Sequence, residues 1–139
     1  MPVILDTDIL SEYLKGHDQN VLAHAARYAL THDRFTLTSV TVYEMVFGLE
    51  LKGAQSQLKR VRDWFGRNES ITPSDADYVT PASVRAAARR QGHVLELPDC
   101  LIAAVASRLQ VPLATGNTAD FEAIRDTGLS LTLENWREL

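Results

Sequence analysis

The sequence predicts an α/β fold, a three-layer α/β/α sandwich around a parallel sheet of four or five strands. Three observations lead to this prediction. Short apolar runs, such as residues 3–5 and 111–115, alternate with longer segments of helical periodicity. These short runs have the composition of strands that are covered on both faces. The segment after Asp99 is apolar on nearly every side, as expected of a buried helix. Strands and helices that alternate in this way form parallel sheets flanked by helices.

The first half of the chain predicts two strands and four helices. The β-branched and apolar run at 3–5 ends at Asp6 and is typical of an interior strand. A helix follows and stops at Gly16, because glycine is favoured just beyond a helix end. The next predicted elements are a helix over 19–31 with Val21, Leu22, Ala25, Tyr28 and Ala29 inward, an alternating strand over 35–39, a helix over 41–52 and a helix near 54–66.

The second half of the chain predicts three further strands, with helices between them. Pro81 lacks a backbone donor and is expected to kink or split the helical pattern over 74–91, with Thr80 capping the second part. Pro98 opens the buried helix, since proline is suited to a first helical turn. The strands are predicted at 71–72, at 111–115 and at 129–133, where leucine recurs at every second position.

The 139 residues are expected to form one domain, 1–139, which buries about two-thirds of its unfolded surface. No apolar run approaches the roughly 20 residues of a membrane span. No basic region precedes the apolar one in MPVILD, so we expect a cytoplasmic protein. The single cysteine, Cys100, excludes an internal disulfide and a multi-cysteine metal site, and its apolar context predicts a core residue.

Four acidic residues stand where predicted strands end or predicted helices begin: Asp6, Glu44, Asp99 and Asp120. In a parallel α/β fold these positions meet at one edge of the sheet. Carboxylates gathered in one cleft repel each other and require hard divalent cations. Mg²⁺ or Mn²⁺, which prefer oxygen ligands, fit this set best.

Each acid also has an interpretation as a helix cap. Asp6 could cap the helix that follows it, and Asp99 could complement a helix dipole. In a capping box, a side chain in the first turn bonds back to the residue before the helix. The pairs with that spacing are Thr41 with Glu44 and Asn117 with Asp120.

Four segments resemble the motifs of PIN-domain ribonucleases, and among these the VapC-type toxins of bacterial toxin–antitoxin pairs. The segments are LDTDILS (5–11), TVYEMVFGLE (41–50), LPDCLIAAVA (97–106) and TGNTADFEAI (115–124). The resemblance covers essentially the whole chain. It implies Mg²⁺- or Mn²⁺-dependent cleavage of RNA, in which a metal-activated water attacks a phosphodiester. It also implies a cognate antitoxin as partner and a homodimer.

The resemblance also implies residue roles. The metal positions are Asp6, Asp99, Glu44 and Asp120, with Asp120 as an outer or second-metal ligand. Asn117 matches a polar position beside the fourth acid, and Thr7 and Thr115 match small hydroxyl positions near the site. Asp8 stands where many relatives have Asn; of the two roles open to it, ligand or helix cap, we expect the cap.

Charge and aromatic residues bear on RNA binding. Lys and Arg number 14 against 18 Asp and Glu, and this net charge of −4 argues against a passive nucleic-acid binder. Two Mg²⁺ ions would cancel that charge. Segment 58–67 interleaves Lys59, Arg60 and Arg62 with Trp64 and Phe65, a pattern that suits single-stranded RNA. The alternative, which we expect, is an amphipathic helix with its charges in water.

Two other functions remain open. A phosphatase with an aspartyl nucleophile would use Asp6-Thr7-Asp8, although position 10 is Leu and no lysine follows Lys59. A catalytically silent PIN-like module would bind a partner without cutting RNA, but the intact carboxylates argue against it. We therefore expect a hydrolase, a metal-dependent endoribonuclease.

Overall fold

The computed structural model describes residues 2–139 and contains one five-stranded sheet. The strands are β1 (Ile4–Leu5), β2 (Thr36–Thr38), β3 (Glu69–Ile71), β4 (Leu113–Thr115) and β5 (Leu133–Asn135). Their order is β3-β2-β1-β4-β5, and all four pairings are parallel. The predicted parallel sheet is confirmed, with β1 at its centre.

Helices cover both faces of the sheet. They are α1 (Thr7–Lys15), α2 (Gln19–Ala29), α3 (Ser39–Lys52), α4 (Gln55–Gly66), α5 (Asp75–Arg90), α6 (Leu97–Leu109) and α7 (Thr118–Asp126). Successive strand residues point to opposite faces. Ile4 packs with residues of α5, α6 and α7, whereas Leu5 packs with residues of α1 and α2. The predicted three-layer α/β/α sandwich is therefore confirmed.

Helix α6 is the most deeply buried helix segment, as predicted. Every residue from 100 to 106 is buried, and Cys100 is 1% exposed. Burial raises the pKa of the Cys100 thiol to about 11, so the thiol stays neutral in the core. Since Asp99 lies in the first turn of α6, this packing fixes the backbone that carries its carboxylate.

The predicted split at Pro81 is wrong, because α5 continues through it. Pro81 is buried, and the Thr80 hydroxyl lies 3.5 Å from the Ala76 carbonyl oxygen instead of capping a new helix. Buried Asp77 binds Arg108 of α6 through a 2.9 Å ion pair. Packing of α5 along α6 therefore offsets the hydrogen bond that the proline cannot make.

The last strand and one helix face also differ from prediction. Strand β5 begins at Leu133, so the predicted strand at 129–133 is misplaced. The alternating leucines at 129, 131 and 133 do pack against the core, but only the chain from Leu133 onwards pairs with β4. On α2 the buried stripe consists of Val21, Ala25 and Tyr28, and the predicted inward Ala29 is exposed. In residues 2–139, no helix has the length and apolarity needed to cross a membrane.

Candidate active site

An open cleft of about 1030 Å³ lies between α1, α3 and α4. Four predicted acids line it: Asp6, Asp8, Glu44 and Asp99. Thr7 and Asn117 line it as well. The sheet order explains why these side chains meet. Strands β1 and β4 are neighbours, and the acids lie near the carboxyl ends of the strands.

Asp6 caps α1 and also lines the cleft. It is 4% exposed and follows β1 directly. Its Oδ1 accepts a hydrogen bond from the Thr7 N–H at 2.8 Å, and its Oδ2 accepts one from the Thr115 hydroxyl at 2.9 Å. Burial first, and the neighbouring charge of Asp8 second, raise the pKa of Asp6 well above its ordinary value. The two hydrogen bonds hold the carboxyl group in one orientation.

Asp99 lies in the first turn of α6 and is half-buried. Burial, followed by the charges of Glu44, Asp120 and Asp8, raises its pKa to about 6. These carboxylates come from four separate parts of the sequence. Since each of them raises the pKa of Asp99, the fold brings these carboxylates close enough for their charges to repel that of Asp99.

The capping-box interpretation of Glu44 is wrong. Helix α3 begins at Ser39 with Thr38 as its cap, so Glu44 lies in the second turn. Its Oε1 instead accepts a 2.6 Å hydrogen bond from the Thr7 hydroxyl, which is also 2.9 Å from the Thr41 hydroxyl. Glu44 is thereby held at the cleft by a residue adjacent to Asp6.

The second capping box is absent as well. Asn117 precedes α7, but its side-chain Nδ2 donates to Asp120 Oδ2 at 2.9 Å. The Asn117 N–H donates to the Thr115 hydroxyl at 2.9 Å. Asp120 is exposed and lies outside the cleft lining, and it acts on Asp99 through its charge.

Asp8 does not cap α1, contrary to prediction, because Asp6 occupies the cap position. Its Oδ2 accepts a hydrogen bond from the Gly116 N–H at 3.2 Å and lies 3.6 Å from an Arg137 nitrogen. Its Oδ1 is buried and has no hydrogen-bond partner among residues 2–139. Sequence reasoning missed Arg137, since nothing in the local pattern connects the end of the chain with residue 8.

The donor set fits a hard divalent cation. Carboxylate oxygens are the ligands that Mg²⁺ and Mn²⁺ prefer, and the buried Asp8 Oδ1 is available to one. In the described part of the chain, however, no three His, Cys, Asp or Glu side chains are close enough together to hold a metal ion. The carboxylates surround a common cleft, and side-chain rotation is required for them to enclose a cation.

Basic side chains, together with Asp63, line the part of the cleft away from Asp6 and Asp99. Arg60, Arg67, Lys15 and Lys52 belong to its lining. Residues 7 and 15 lie eight positions apart on α1, so the acidic and basic ends are separated by about 12 Å.

Of the three basic residues predicted to contact RNA, only Arg60 faces the cleft. Lys59 is exposed outside the lining, and Arg62 lies 3.6 Å from Glu50. The inward apolar face predicted for α4 is confirmed, since Val61 is buried and Trp64 and Phe65 pack against the core.

Comparison with known proteins gives a consistent result. The family model of the PIN domain matches residues 3–126. The tRNA(fMet)-specific endonuclease VapC of Shigella flexneri is 27% identical over 134 residues, which cover 96% of each chain.

Solved structures with the same fold include toxin–antitoxin complexes. VapBC2 from Rickettsia felis, bound to a promoter DNA fragment, superposes with a TM-score of 0.80 at 23% identity, over 98% of this chain and 99% of that one. DNA-bound VapBC from Salmonella typhimurium gives 0.81 at 23% identity, over 98% of each chain. The match to the family model covers most of the sequence, and the chain belongs to the PIN domain family.

Proposed function

We propose that this protein is a metal-dependent endoribonuclease and the toxin of a toxin–antitoxin pair. The observation that carries the proposal is the convergence of carboxylates on one cleft, where burial and mutual repulsion raise the pKa of Asp99 to about 6. Support comes from membership of the PIN domain family and from the similarity to a tRNA-cleaving VapC. The RNA phosphodiester is the substrate class that this cleft suits.

The acids have distinct roles in this proposal. Asp6 and Asp99 are the principal ligands of Mg²⁺ or Mn²⁺, Glu44 is a further ligand, and Asp120 is an outer one. When bound, such a cation lowers the pKa of water and offsets charge on the phosphate and on the leaving oxygen. The Thr115 hydroxyl holds Asp6, and the Thr7 hydroxyl holds Glu44. These hydrogen bonds keep the two carboxylates at the cleft, where they would hold the cation beside the phosphodiester that water attacks in line.

The basic end of the cleft holds the RNA backbone beside the scissile phosphate. Arg60 is on the cleft face of α4, whereas Arg62 on the same helix is engaged with Glu50 outside it. An exposed ion pair of this kind contributes little stability. The two arginines therefore form a matched pair for testing which face of α4 contacts RNA.

Arg60→Gln is expected to raise the apparent Kd for single-stranded RNA several-fold and to weaken its salt dependence by roughly 0.7 per lost phosphate contact. Arg62→Gln is the control and should leave both quantities nearly unchanged. Binding is measured at several salt concentrations with an inactive variant. Equal effects of the two substitutions would mean that the cleft face of α4 has no special part in RNA binding.

An antitoxin and a second copy of the chain are the protein partners that we propose. The structurally similar VapBC proteins are toxin–antitoxin complexes. Tyr43, Phe47 and Leu51 follow one side of α3 and are 65%, 56% and 75% exposed. Exposed apolar stripes of this kind are typical of surfaces that a partner covers. We also propose that residues 1–139 act as one domain.

The function is tested by incubating purified, antitoxin-free protein with total RNA and Mg²⁺ and mapping the new ends. We expect discrete cuts that EDTA prevents. Because water is the nucleophile, a 2′-deoxy substitution at the cut site should still allow cleavage.

Three results would contradict the proposal. Equal cutting in EDTA would exclude a requirement for a metal ion. Failure to cut RNA would favour the catalytically silent binding module. Release of phosphate from a small aryl phosphate, lost in Asp6→Asn, would favour the phosphatase.

A further inference from the structure

The C-terminal segment is fastened across α2. Trp136 is 2% exposed and stacks on His24, with ring centroids 5.4 Å apart. The Asn20 side chain donates a 2.6 Å hydrogen bond to the Arg137 carbonyl, and His24 Nε2 donates one of 2.6 Å to the Glu138 carbonyl. These contacts fix the backbone on both sides of the Arg137 side chain.

Arg137 reaches from this anchored backbone to the edge of the candidate site. Its Nη2 lies 3.6 Å from Asp8 Oδ2 and 3.8 Å from Glu12 Oε1. The side chain lies against Gly116, where an added Cβ would come within 2.6 Å of Arg137 Cδ. Glycine at 116 therefore leaves the space that the arginine occupies.

The two carboxylate oxygens of Asp8 have different surroundings. Oδ2 is bound by the Gly116 N–H at 3.2 Å and faces Arg137. Oδ1 is buried and accepts no hydrogen bond from residues 2–139, and the Asp8 carboxylate lies close enough to that of Asp6 to raise its pKa. Asp8 lines the same cleft as Asp6 and Asp99. One oxygen is thus held from outside while the other is left for a ligand in the cleft.

We propose that Arg137 is a positioning residue that holds Asp8 as a fifth carboxylate of the metal site. This inference rests on the proposed function, because it requires a divalent cation in the cleft. Arg137 itself does not touch the cation or the RNA phosphate. It binds one oxygen of Asp8 and, with Gly116, sets the direction of the other.

The direction in which cation affinity changes when Arg137 is removed distinguishes a positioning role from a purely electrostatic one. A positive guanidinium near the site repels a cation, so its removal should tighten cation binding if charge alone matters. If Arg137 positions Asp8, its removal should weaken cation binding instead. Outer partners that orient metal ligands typically contribute about 10- to 100-fold in metal affinity.

The test is calorimetric titration of the full-length protein with Mn²⁺, together with the Mn²⁺-induced rise in Tm. We expect Arg137→Gln and Asp8→Asn each to raise the Kd for Mn²⁺ about tenfold. The double variant should be no weaker than the weaker single variant, because both changes remove the same contribution. Arg125→Gln is the control for charge, since Arg125 is an exposed arginine in the last turn of α7.

Gly116→Ala provides a second variant that retains the arginine. The new methyl group would overlap Nε and Cδ of Arg137 and displace the arginine side chain. We expect Mn²⁺ binding to weaken as in Arg137→Gln. The Tm without metal shows whether each variant is folded.

Several results would overturn the proposal. Unchanged or tighter Mn²⁺ binding in Arg137→Gln, or effects of Arg137→Gln and Asp8→Asn that add fully, would show that Arg137 does not act through Asp8. Normal Mn²⁺ binding in Gly116→Ala would do the same. Absence of Mn²⁺ binding in the unaltered protein would overturn the metal-dependent function as well, which distinguishes the two failures.

Discussion

Asp99→Asn is expected to reduce RNA cleavage at least about a hundredfold while the protein stays folded. Partners that only orient a metal ligand already contribute about 10- to 100-fold, and a direct ligand should contribute more. Asparagine has nearly the same shape as aspartate, so the packing of α6 behind residue 99 is preserved. The initial rate of cleavage in Mg²⁺ is the measurement.

Metal binding gives an independent measurement on the same variant. A cation that binds only the folded protein raises its Tm, and the rise should be smaller in Asp99→Asn than in the unaltered protein. Glu134→Gln is a suitable control, because the Glu134 carboxylate accepts a hydrogen bond from the Trp136 indole N–H and lies outside the cleft lining. Equal rises in Tm in the unaltered protein and in Asp99→Asn would mean that the cations act elsewhere.

The same carboxyl should make the metal-free protein less stable as pH rises. The pKa of Asp99 is raised from an ordinary 3.8 to about 6 in the folded state. The folded protein therefore binds more protons than the unfolded chain between these values, and its free energy of unfolding should fall across this interval. Above about pH 6 the contribution of Asp99 is constant. The difference between the unaltered protein and Asp99→Asn, measured by urea unfolding in EDTA, reports the titration of Asp99 together with its effect on Asp6, whose pKa the charge of Asp99 also raises.

The sheet and the buried helix could be predicted because their cause is local in sequence. The apolar residues at 3–5 and 100–106 occupy the centre of the fold, and their burial needs no information from distant residues. The leucines at 129, 131 and 133 show the limit of this reasoning. Their alternation reports which side chains are buried, whereas strand pairing depends on where β4 lies. Pro81 shows the same limit, since packing of α5 along α6 prevails over its local effect.

The convergence of Asp6, Glu44 and Asp99 on one cleft could be predicted, but the way each side chain is held could not. Asp6, Glu44 and Asp99 follow from their places at strand ends and near helix starts. The hydrogen bond between Gly116 and Asp8 joins residues 108 positions apart, and Arg137 lies further still along the chain. A contact of that kind leaves no periodicity or motif. The interpretation of Glu44 as a cap was wrong because α3 starts before Thr41, and helix starts are the least certain part of a sequence pattern.

Glu44→Gln should lower RNA cleavage about 10- to 100-fold with a loss of less than about 1 kcal/mol in the free energy of unfolding. Glutamine keeps an oxygen that accepts the hydrogen bond of the Thr7 hydroxyl, so the link between α1 and α3 can persist. It removes the negative charge that a cation requires and that raises the pKa of Asp99. The substitution therefore removes the charge at position 44 and keeps the hydrogen-bond acceptor.

Glu50→Gln is the matched control for this prediction, because it makes the same chemical change on the same helix. Glu50 is exposed and its partner is Arg62, at 3.6 Å, so we expect nearly full cleavage and little change in stability. Cleavage rates and urea unfolding are measured on both variants in parallel. Full cleavage by Glu44→Gln, together with reduced stability, would make Glu44 a structural residue held by Thr7. Loss of cleavage at unchanged stability would instead mean that its charge acts in the reaction, since the fold does not depend on it.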